Sequence, residues 1–440
     1  MFSEQNFSDT NYYFIGIGGV SMSALAELLH RAGCSVRGSD LKESDFTRAL
    51  RKQGIAVHIG EQEEITEETV VYTGAVVNTH PQLSAAIKAG KRIISRSELL
   101  GRVAEGYPHV LAVAGCHGKT SATSMLTHIF AEGNRNFTCH IGGEDSRYGN
   151  FYSTGNEYFI TEACEFQRSF LSIHSDVAVI LNTDRDHTDC YRDDEELLEA
   201  YSLFAKQGKQ VVVNADDVRG REIPHALSFG FYSGDVRAEQ LCSDGERYRF
   251  TVVERSLPIV RIKLSVVGKM QVQNALAAFA AARLCGFSAE EIKQGLESFQ
   301  GVKRRFEYVG TLCGVPVVCD YAHHPHEIAA TLSTAQNLCE GTVRVVFQPH
   351  TYTRTRDFLN EFVEVLSEAE EPIIYKTFAA REPFDAAGSA VTLAGKIPSA
   401  IYVQTPAQLK KRLECTVKQG DLILILGAGD IYDAAKSLLG

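Results

Sequence analysis

The sequence has no tryptophan, no block of lysine and arginine, and no apolar run near the roughly 18 residues that span a bilayer. The missing tryptophan decides little. The missing basic block, with a net charge of −11, argues against nucleic acid as a partner. The missing apolar run argues against a membrane span. The stretch Met1-Phe2-Ser3-Glu4-Gln5-Asn6 carries neither the basic nor the apolar part of a signal peptide, so a cytoplasmic protein is expected. No Cys-x-x-Cys spacing occurs either. The 11 cysteines are scattered and odd in number, which speaks against a disulfide framework or a zinc site and for reduced thiols.

What is present is an ordinary soluble composition, 44% hydrophobic and 22% charged, over 440 residues, too many for one compact core. Strand-length apolar stretches alternate with helix-like ones, which predicts open, largely parallel α/β sheets. Tyr12–Ile17, Cys34–Arg37, Thr69–Tyr72 and Arg92–Ser95 read as strands of a first unit, with a helix over Ser21–Arg31. His109–Ala114, Tyr158–Thr161, Val177–Leu181 and Gln210–Asn214 form a second series, followed by short alternating strands between Ser228 and Leu264 and an alanine-rich helix over Val272–Leu284. Val315–Cys319, Val343–Phe347, Pro372–Tyr375, Ala400–Val403 and Leu422–Leu426 form a third, with helices over Glu327–Leu338 and Thr405–Thr416. Three consecutive domains are expected, at 1–107, 108–302 and 303–440: two Rossmann-like units flanking a central P-loop ATPase-type unit.

Residues 111–121 read Leu-Ala-Val-Ala-Gly-Cys-His-Gly-Lys-Thr-Ser, a strand, a glycine turn, then a lysine and two hydroxyls opening a helix. That order builds a phosphate cradle: the glycine turn Gly115, Cys116, His117, Gly118 has small residues that let backbone N–H groups face a polyphosphate, and the helix N-terminus opened by Lys119, Thr120 and Ser121 adds partial positive charge. Lys119 would reach the β/γ-phosphates and Thr120 would put its hydroxyl on Mg²⁺. The full P-loop pattern has glycine where this chain has Val113.

Near the N-terminus, Gly16, Gly18 and Gly19, with Val20 after them, follow a strand and precede a helix. Ser39 and Asp40 end the next strand, where an acidic residue often meets a ribose hydroxyl. The sixth fingerprint position is Ser21 rather than glycine, so this turn suits any diphosphate, a nucleotide-sugar included. Downstream of the phosphate loop, two strands run into Glu162-Ala163-Cys164-Glu165 and Asn182-Thr183-Asp184-Arg185-Asp186-His187. Glu162 is a candidate Mg²⁺ ligand and His187 a metal ligand or a polarising neighbour. Asn274, in the first turns of the alanine-rich helix, could read an adenine edge. Arg305, at the second domain junction, can swing onto a γ-phosphate when domains close. Asp320 to Pro325 and Phe347 to Arg356 are strand-end loops rich in groups that bind carboxylates and phosphates.

Gly-Ile-Gly-Gly-x-x-Met-Ser at 16–23, His-Gly-Lys-Thr at 117–120, Asn182 with Asp186-His187, Arg-Arg-Phe-Glu at 304–307, His-His-Pro at 323–325 and Tyr-Thr-Arg-Thr at 352–355 resemble, in order and over almost the whole chain, the Mur ligase family, most closely its alanine-adding branch. The resemblance implies an ATP- and Mg²⁺-dependent amide ligase in peptidoglycan precursor synthesis, acting through an acyl phosphate on UDP-N-acetylmuramate and L-alanine, as a monomer or weak homodimer. It implies a UDP-binding first domain (Gly16, Gly18, Gly19, Val20, Ser39, Asp40), an ATP-binding second domain and a third that closes on the amino acid. Gly115 to Ser121, Asn274, Arg305 and Asp320 would hold ATP. Thr120, Glu162 and His187 would hold the metal. Lys119, His187, Arg305, His324 and Arg354 would act on the reacting groups, Arg354 pairing with the amino acid's carboxylate.

The chain departs from the family pattern at Cys116, Cys164, Glu61, Met270-Gln271 and Thr351, and it has Tyr201 and, farther on, Lys206 where several relatives carry a carbamylated lysine. Three other readings compete with the alanine-adding one: a paralogue acting on another amino acid or peptide, a Rossmann oxidoreductase that would leave the phosphate loop idle, and a silent nucleotide-binding regulator.

Overall fold

A computed structural model describes residues 11–60, 64–74, 76, 79–185, 190–244 and 247–439. They form three sheets in sequence. The first is wholly parallel, in the spatial order Ala56–Ile59, Ser35–Asp40, Asn11–Ile15, Thr69–Tyr72, Arg92–Ser95. The chain starts at the centre and winds outward both ways, so the strand order reverses beside Asn11–Ile15. The glycine turn lies at that switch point, the usual ligand crevice of such sheets.

The central sheet has ten strands. In its parallel heart His109–Ala114 lies between Val177–Ile180 and Tyr158–Glu162, so the phosphate loop and both acidic strand ends emerge along one edge. The expected meander is there, as three antiparallel strands at one margin, Val236–Ser243, Tyr248–Glu254 and Leu257–Lys263. The helix Lys269–Leu284, alanine-rich and buried on nearly every side, packs under this sheet.

The sequence reading missed the strands Phe137–Asp145 and Gly149–Ser153, which complete the other margin. Gly142-Gly143 and several polar residues break the apolar alternation on which strand assignment rests. It also missed Ala56–Ile59 and Glu307–Leu312.

The third sheet runs Glu307–Leu312, Val315–Asp320, Leu422–Leu426, Val343–Phe347, Ile373–Tyr375, Ile401–Val403. All pairs are parallel except the hairpin at its start. Its last strand inserts between two earlier ones, so the loops after Asp320, Phe347 and Leu426 lie side by side. Capping boxes at Ser288, His324 and Thr405 fix where three of the helices begin.

One apolar cluster runs without a break from Tyr12, Phe14 and Leu25 of the first unit to Ala112, Phe159 and Tyr201 of the second. Tyr107 stacks on Phe159 with ring centroids 4.8 Å apart at the junction. The third unit closes two clusters of its own.

Candidate active site

The phosphate loop turns on Gly118, whose φ of 85° suits glycine, and a Cβ there would stand 2.4 Å from Oδ1 of Asn274. Asn274 is thus packed on the loop itself, with Nδ2 3.4 Å from Oε1 of Gln271. Asn182 clasps the loop from the neighbouring strand end: its Oδ1 accepts from the His117 N–H and its Nδ2 donates to the His117 carbonyl, both at 3.0 Å. Lys119 Nζ donates to the carbonyls of Gly115 (2.5 Å) and Cys116 (3.2 Å) and to both carboxylate oxygens of Glu165 (2.9 and 3.2 Å). Burial alone would lower the lysine's pKa, but Glu165 and the loop's surroundings raise it above its usual value.

Thr120 and Ser121 are buried at the start of the helix Lys119–Glu132. Glu162 lies against Thr120 and accepts from the Gly142 N–H at 2.6 Å. Two glycines of the strand missed in the sequence make this possible: a Cβ on Gly142 would stand 2.6 Å from the Glu162 carboxylate, and one on Gly143 2.6 Å from Cγ2 of Thr120. Burial pushes the Glu162 carboxyl up, and the Gly142 amide and Lys119 only partly offset it. A hydroxyl and an under-compensated carboxylate side by side are oxygen donors suited to Mg²⁺, which keeps several waters and needs few protein ligands. His187 lies outside the described residues, and among those described no group of three His, Cys, Asp or Glu residues could hold a metal ion.

The third unit meets the loop through Glu327. One oxygen lies 3.1 Å from His117 Nδ1 and 3.8 Å from Arg305 Nη1. The other lies 3.2 Å from His323 Nδ1 and accepts from the backbone N–H of His323 (3.1 Å) and His324 (3.4 Å). Burial works against the charge, yet His117 and His323 hold this carboxyl well below the usual range. His324 caps the helix Pro325–Leu338, buried, its ring 5.1 Å from that of His117. The line continues to His350, 5.8 Å from His323 between rings, and to buried Arg354, whose Nη1 is 3.2 Å from His350 Nδ1. Arg305 also lies over the Tyr321 ring at 5.0 Å. A cavity of about 390 Å³ opens beside it, lined by Gln271, Gly301 and Tyr308 among others.

Asp320 braces the segment around Arg305: its oxygens accept from the N–H of Phe306 and Ala322, both at 2.7 Å, and burial pushes its carboxyl up to about 6 despite Arg305. Arg304 and Phe306, on either side of Arg305, have φ of 61° and 50°, a strained backbone that these bonds sustain. In the first unit, Asp40 accepts from the Gly18 N–H at 2.9 Å and so caps the glycine turn. Gly16 has φ 82°, Gly19 caps the helix Val20–Arg31, and the Val20 carbonyl accepts from Asn150 at 2.7 Å. The Ser39 hydroxyl is turned inward, donating to Gln82 at 2.9 Å, while its carbonyl receives the N–H of Gly16 and Ile17.

Three family models match the chain in order: Mur ligase family, catalytic domain, over residues 11–108; Mur ligase middle domain over 113–282; and Mur ligase, glutamate ligase domain, over 304–429.

The chain belongs to the Mur ligase family.

It is 38% identical to a UDP-N-acetylmuramate–L-alanine ligase of Agathobacter rectalis, with 97% of each chain covered. It is 39% identical to one of Acetivibrio thermocellus, with 97% of this chain and 95% of that one covered. Among solved structures it resembles the UDP-N-acetylmuramate-alanine ligase of Thermotoga maritima, with a TM-score of 0.84 and 26% identity over 97% and 98% of the two chains.

Sequence reasoning about this Mur ligase overlooked Glu165, Glu327 and the Gly142-Gly143 pair. Glu327 had a local signal, three residues after His324 and two after Pro325, where a helix N-terminus places its capping acid. Glu165 had none, since its partner Lys119 is reached only through the sheet. Lys206 is exposed at the end of its helix and Tyr201 is buried, so no lysine of that helix faces the loop.

Proposed function

We propose that this Mur ligase joins L-alanine to UDP-N-acetylmuramate at the expense of ATP, releasing ADP and phosphate, in the cytoplasmic synthesis of a peptidoglycan precursor. The observation that carries this reading is the unbroken line of contacts from the phosphate loop through His117, Glu327, His323 and His350 to Arg354. It supports a reading in which the loop at Gly115–Ser121 takes the phosphates and Arg354 takes a small carboxylate at the other end of the same line of residues. The full-length relatives named for this reaction support it.

A carboxylate forms no amide at neutral pH until one oxygen becomes a leaving group. Here the sugar acid's carboxylate takes the γ-phosphoryl group of ATP, the amine of alanine attacks the acyl carbon, and phosphate departs. The protein's task is to position the reactants and neutralise charge. The N–H groups of Gly115 to Ser121 and the Lys119 amine take the phosphates, and Arg305 approaches them from the hinge. Asn274 and the cavity beside Gln271 offer room for adenine, and Asp320 keeps Arg305's segment in place. Thr120 and Glu162, with His187 from outside the described residues, would hold Mg²⁺, which when bound would supply positive charge against the phosphates. His324 orders the cleft beside the amine, and Arg354 receives alanine's carboxylate. The turn at Gly16, Gly18, Gly19 and Val20, backed by the Ser39 carbonyl and by Asp40, faces the UDP part.

The deciding assay is phosphate release on mixing ATP, Mg²⁺ and UDP-N-acetylmuramate with alanine, serine or glycine. Release that requires the sugar acid and is fastest with alanine is expected. Binding of ATP without turnover in any mixture overturns the reading.

A further inference from the structure

Arg96 opens the helix Arg96–Glu105, directly after the strand Arg92–Ser95 of the first sheet. Its side chain is half-buried, and its Nη1 donates to the Ser21 hydroxyl at 3.2 Å. Among the described residues no carboxylate lies within ion-pair distance of it, and that bond uses one of a guanidinium's five N–H groups. A cation taken partly out of water and met only by a neutral hydroxyl lacks the counter-charge that offsets desolvation.

The Ser21 hydroxyl is itself held in one orientation. The Thr161 hydroxyl donates to the Glu162 carbonyl at 3.1 Å, so its oxygen accepts from His140 Nδ1 at 3.0 Å. His140 Nε2 is then an acceptor and takes the Ser21 hydrogen at 2.8 Å. That leaves the Ser21 oxygen to accept from Arg96. The direction of every bond is set by the next, from the strand Tyr158–Glu162 of the second unit back to the first. The guanidinium is thus held in place before a ligand arrives, which lowers the cost of binding.

Its position decides what it can bind. Ser21 lies in the first turn of the helix Val20–Arg31, which has no side-chain cap and no acidic residue in that turn. Asp40 is committed to the Gly18 N–H. A full positive charge therefore stands beside an uncapped helix N-terminus, a pairing that suits phosphate oxygens.

We propose that Arg96 is a substrate-binding residue: its guanidinium receives the diphosphate of the UDP-sugar, and the Ser21–His140–Thr161 chain holds it ready. The proposal rests on the glycine turn being the UDP site. It adds a cation from outside that turn to a cradle otherwise made of backbone N–H groups.

The test is calorimetric titration of the full chain and of Arg96→Ala, Arg96→Lys and Ser21→Ala with UDP and with UDP-N-acetylmuramate. Arg96→Ala is expected to weaken both ligands by about thirtyfold through lost charge-assisted hydrogen bonds. Arg96→Lys keeps the charge without the planar fork and is expected to recover part of that loss. Ser21→Ala unpins the guanidinium and is expected to weaken both ligands by about threefold. The affinity of the wild type for UDP should also fall more steeply with salt than that of Arg96→Ala, a difference that a purely structural role would not produce. Thermal melting and binding of a Mg²⁺-bound ATP analogue check folding, and Arg96→Lys carries the comparison if Arg96→Ala does not fold. Unchanged UDP affinity, or an unchanged salt dependence, overturns the proposal. Weaker UDP-N-acetylmuramate binding with UDP binding kept assigns Arg96 to the sugar acid's carboxylate and overturns it as well. A wild type that binds the ATP analogue but neither uridine ligand overturns the UDP reading, and the proposal with it.

Discussion

Nδ1 of His117, in the phosphate loop, lies 3.1 Å from Oε1 of Glu327, in the first turn of a helix of the third unit. The same carboxylate gathers His323 and Arg305, so one acidic side chain ties Arg305 and the His-His-Pro loop to the glycine loop before Lys119.

Replacing Glu327 with glutamine keeps the shape and removes the charge that two histidines and an arginine share. Turnover is expected to fall by roughly tenfold or more, since charge-assisted bonds contribute about 1.5–3 kcal/mol each. Steady-state phosphate release measures the loss, and small-angle scattering should show a less compact chain. Wild-type rates would remove Glu327 from the closing contact.

Gly142→Ala places a methyl group where the Glu162 carboxylate now lies, with 2.6 Å between them before adjustment. Glu162 must turn away from Thr120. The variant is expected to fold, with an unfolding midpoint close to wild type, and to need several times more Mg²⁺ for half-maximal turnover. A titration of activity against Mg²⁺ decides it, and an unchanged curve would separate Glu162 from the ion.

Asp145, at the end of the strand Phe137–Asp145, accepts from the Ser124 hydroxyl and from the N–H of Arg147 and Tyr148, and its Oδ2 lies 3.2 Å from His128 Nε2. That strand end bridges to Val302, and Lys303 N–H donates to the Glu144 carbonyl at 2.9 Å, so the segment leading to Arg305 is tied to it. Asp145→Ala removes the shared acceptor of a buried hydroxyl, two backbone N–H groups and one ring nitrogen of His128, and should cost about 3 kcal/mol of stability, visible as an earlier urea midpoint.

His140 joins the first two units: its Nε2 is 2.8 Å from the Ser21 hydroxyl and its Nδ1 3.0 Å from that of Thr161. Burial, then Arg96, pushes its pKa down to about 3. The native state therefore binds fewer protons at this site than the unfolded chain. Its contribution is complete above the unfolded value of about 6.5 and is lost as pH falls from there toward 3, roughly 2 kcal/mol by pH 5. Thermal melts of wild type and His140→Gln between pH 7 and 5 check this; the variant should lose less over that range.

Much of the scaffold was legible because it is local. His109–Ala114, Thr69–Tyr72, Arg92–Ser95, Gln210–Asn214, Val343–Phe347 and Leu422–Leu426 are short segments centred on adjacent β-branched or other apolar residues, and the structure keeps those bounds. The Lys119 turn carried its chemistry in consecutive residues. What could not be read was made by the sheet and the domain contacts. Glu165 meets Lys119, Glu327 meets His117, and Gly142 leaves room for Glu162, each pair brought together from separate elements. Ser39 shows the opposite limit: its position at a strand end was legible, but the inward turn of its hydroxyl toward Gln82 depends on a neighbour the sequence does not mark.

The apolar cluster that crosses the first junction sets how this chain can be taken apart. A cut after residue 107 would open Val103, Tyr107 and Phe159 to water on both pieces, and each large apolar side chain exposed forfeits about 1.5–3 kcal/mol. A cut near residue 302 severs strand-end and ion-pair contacts but leaves the last piece with two closed clusters of its own. By count of sheets the enzyme has three parts; by what can survive alone it has two.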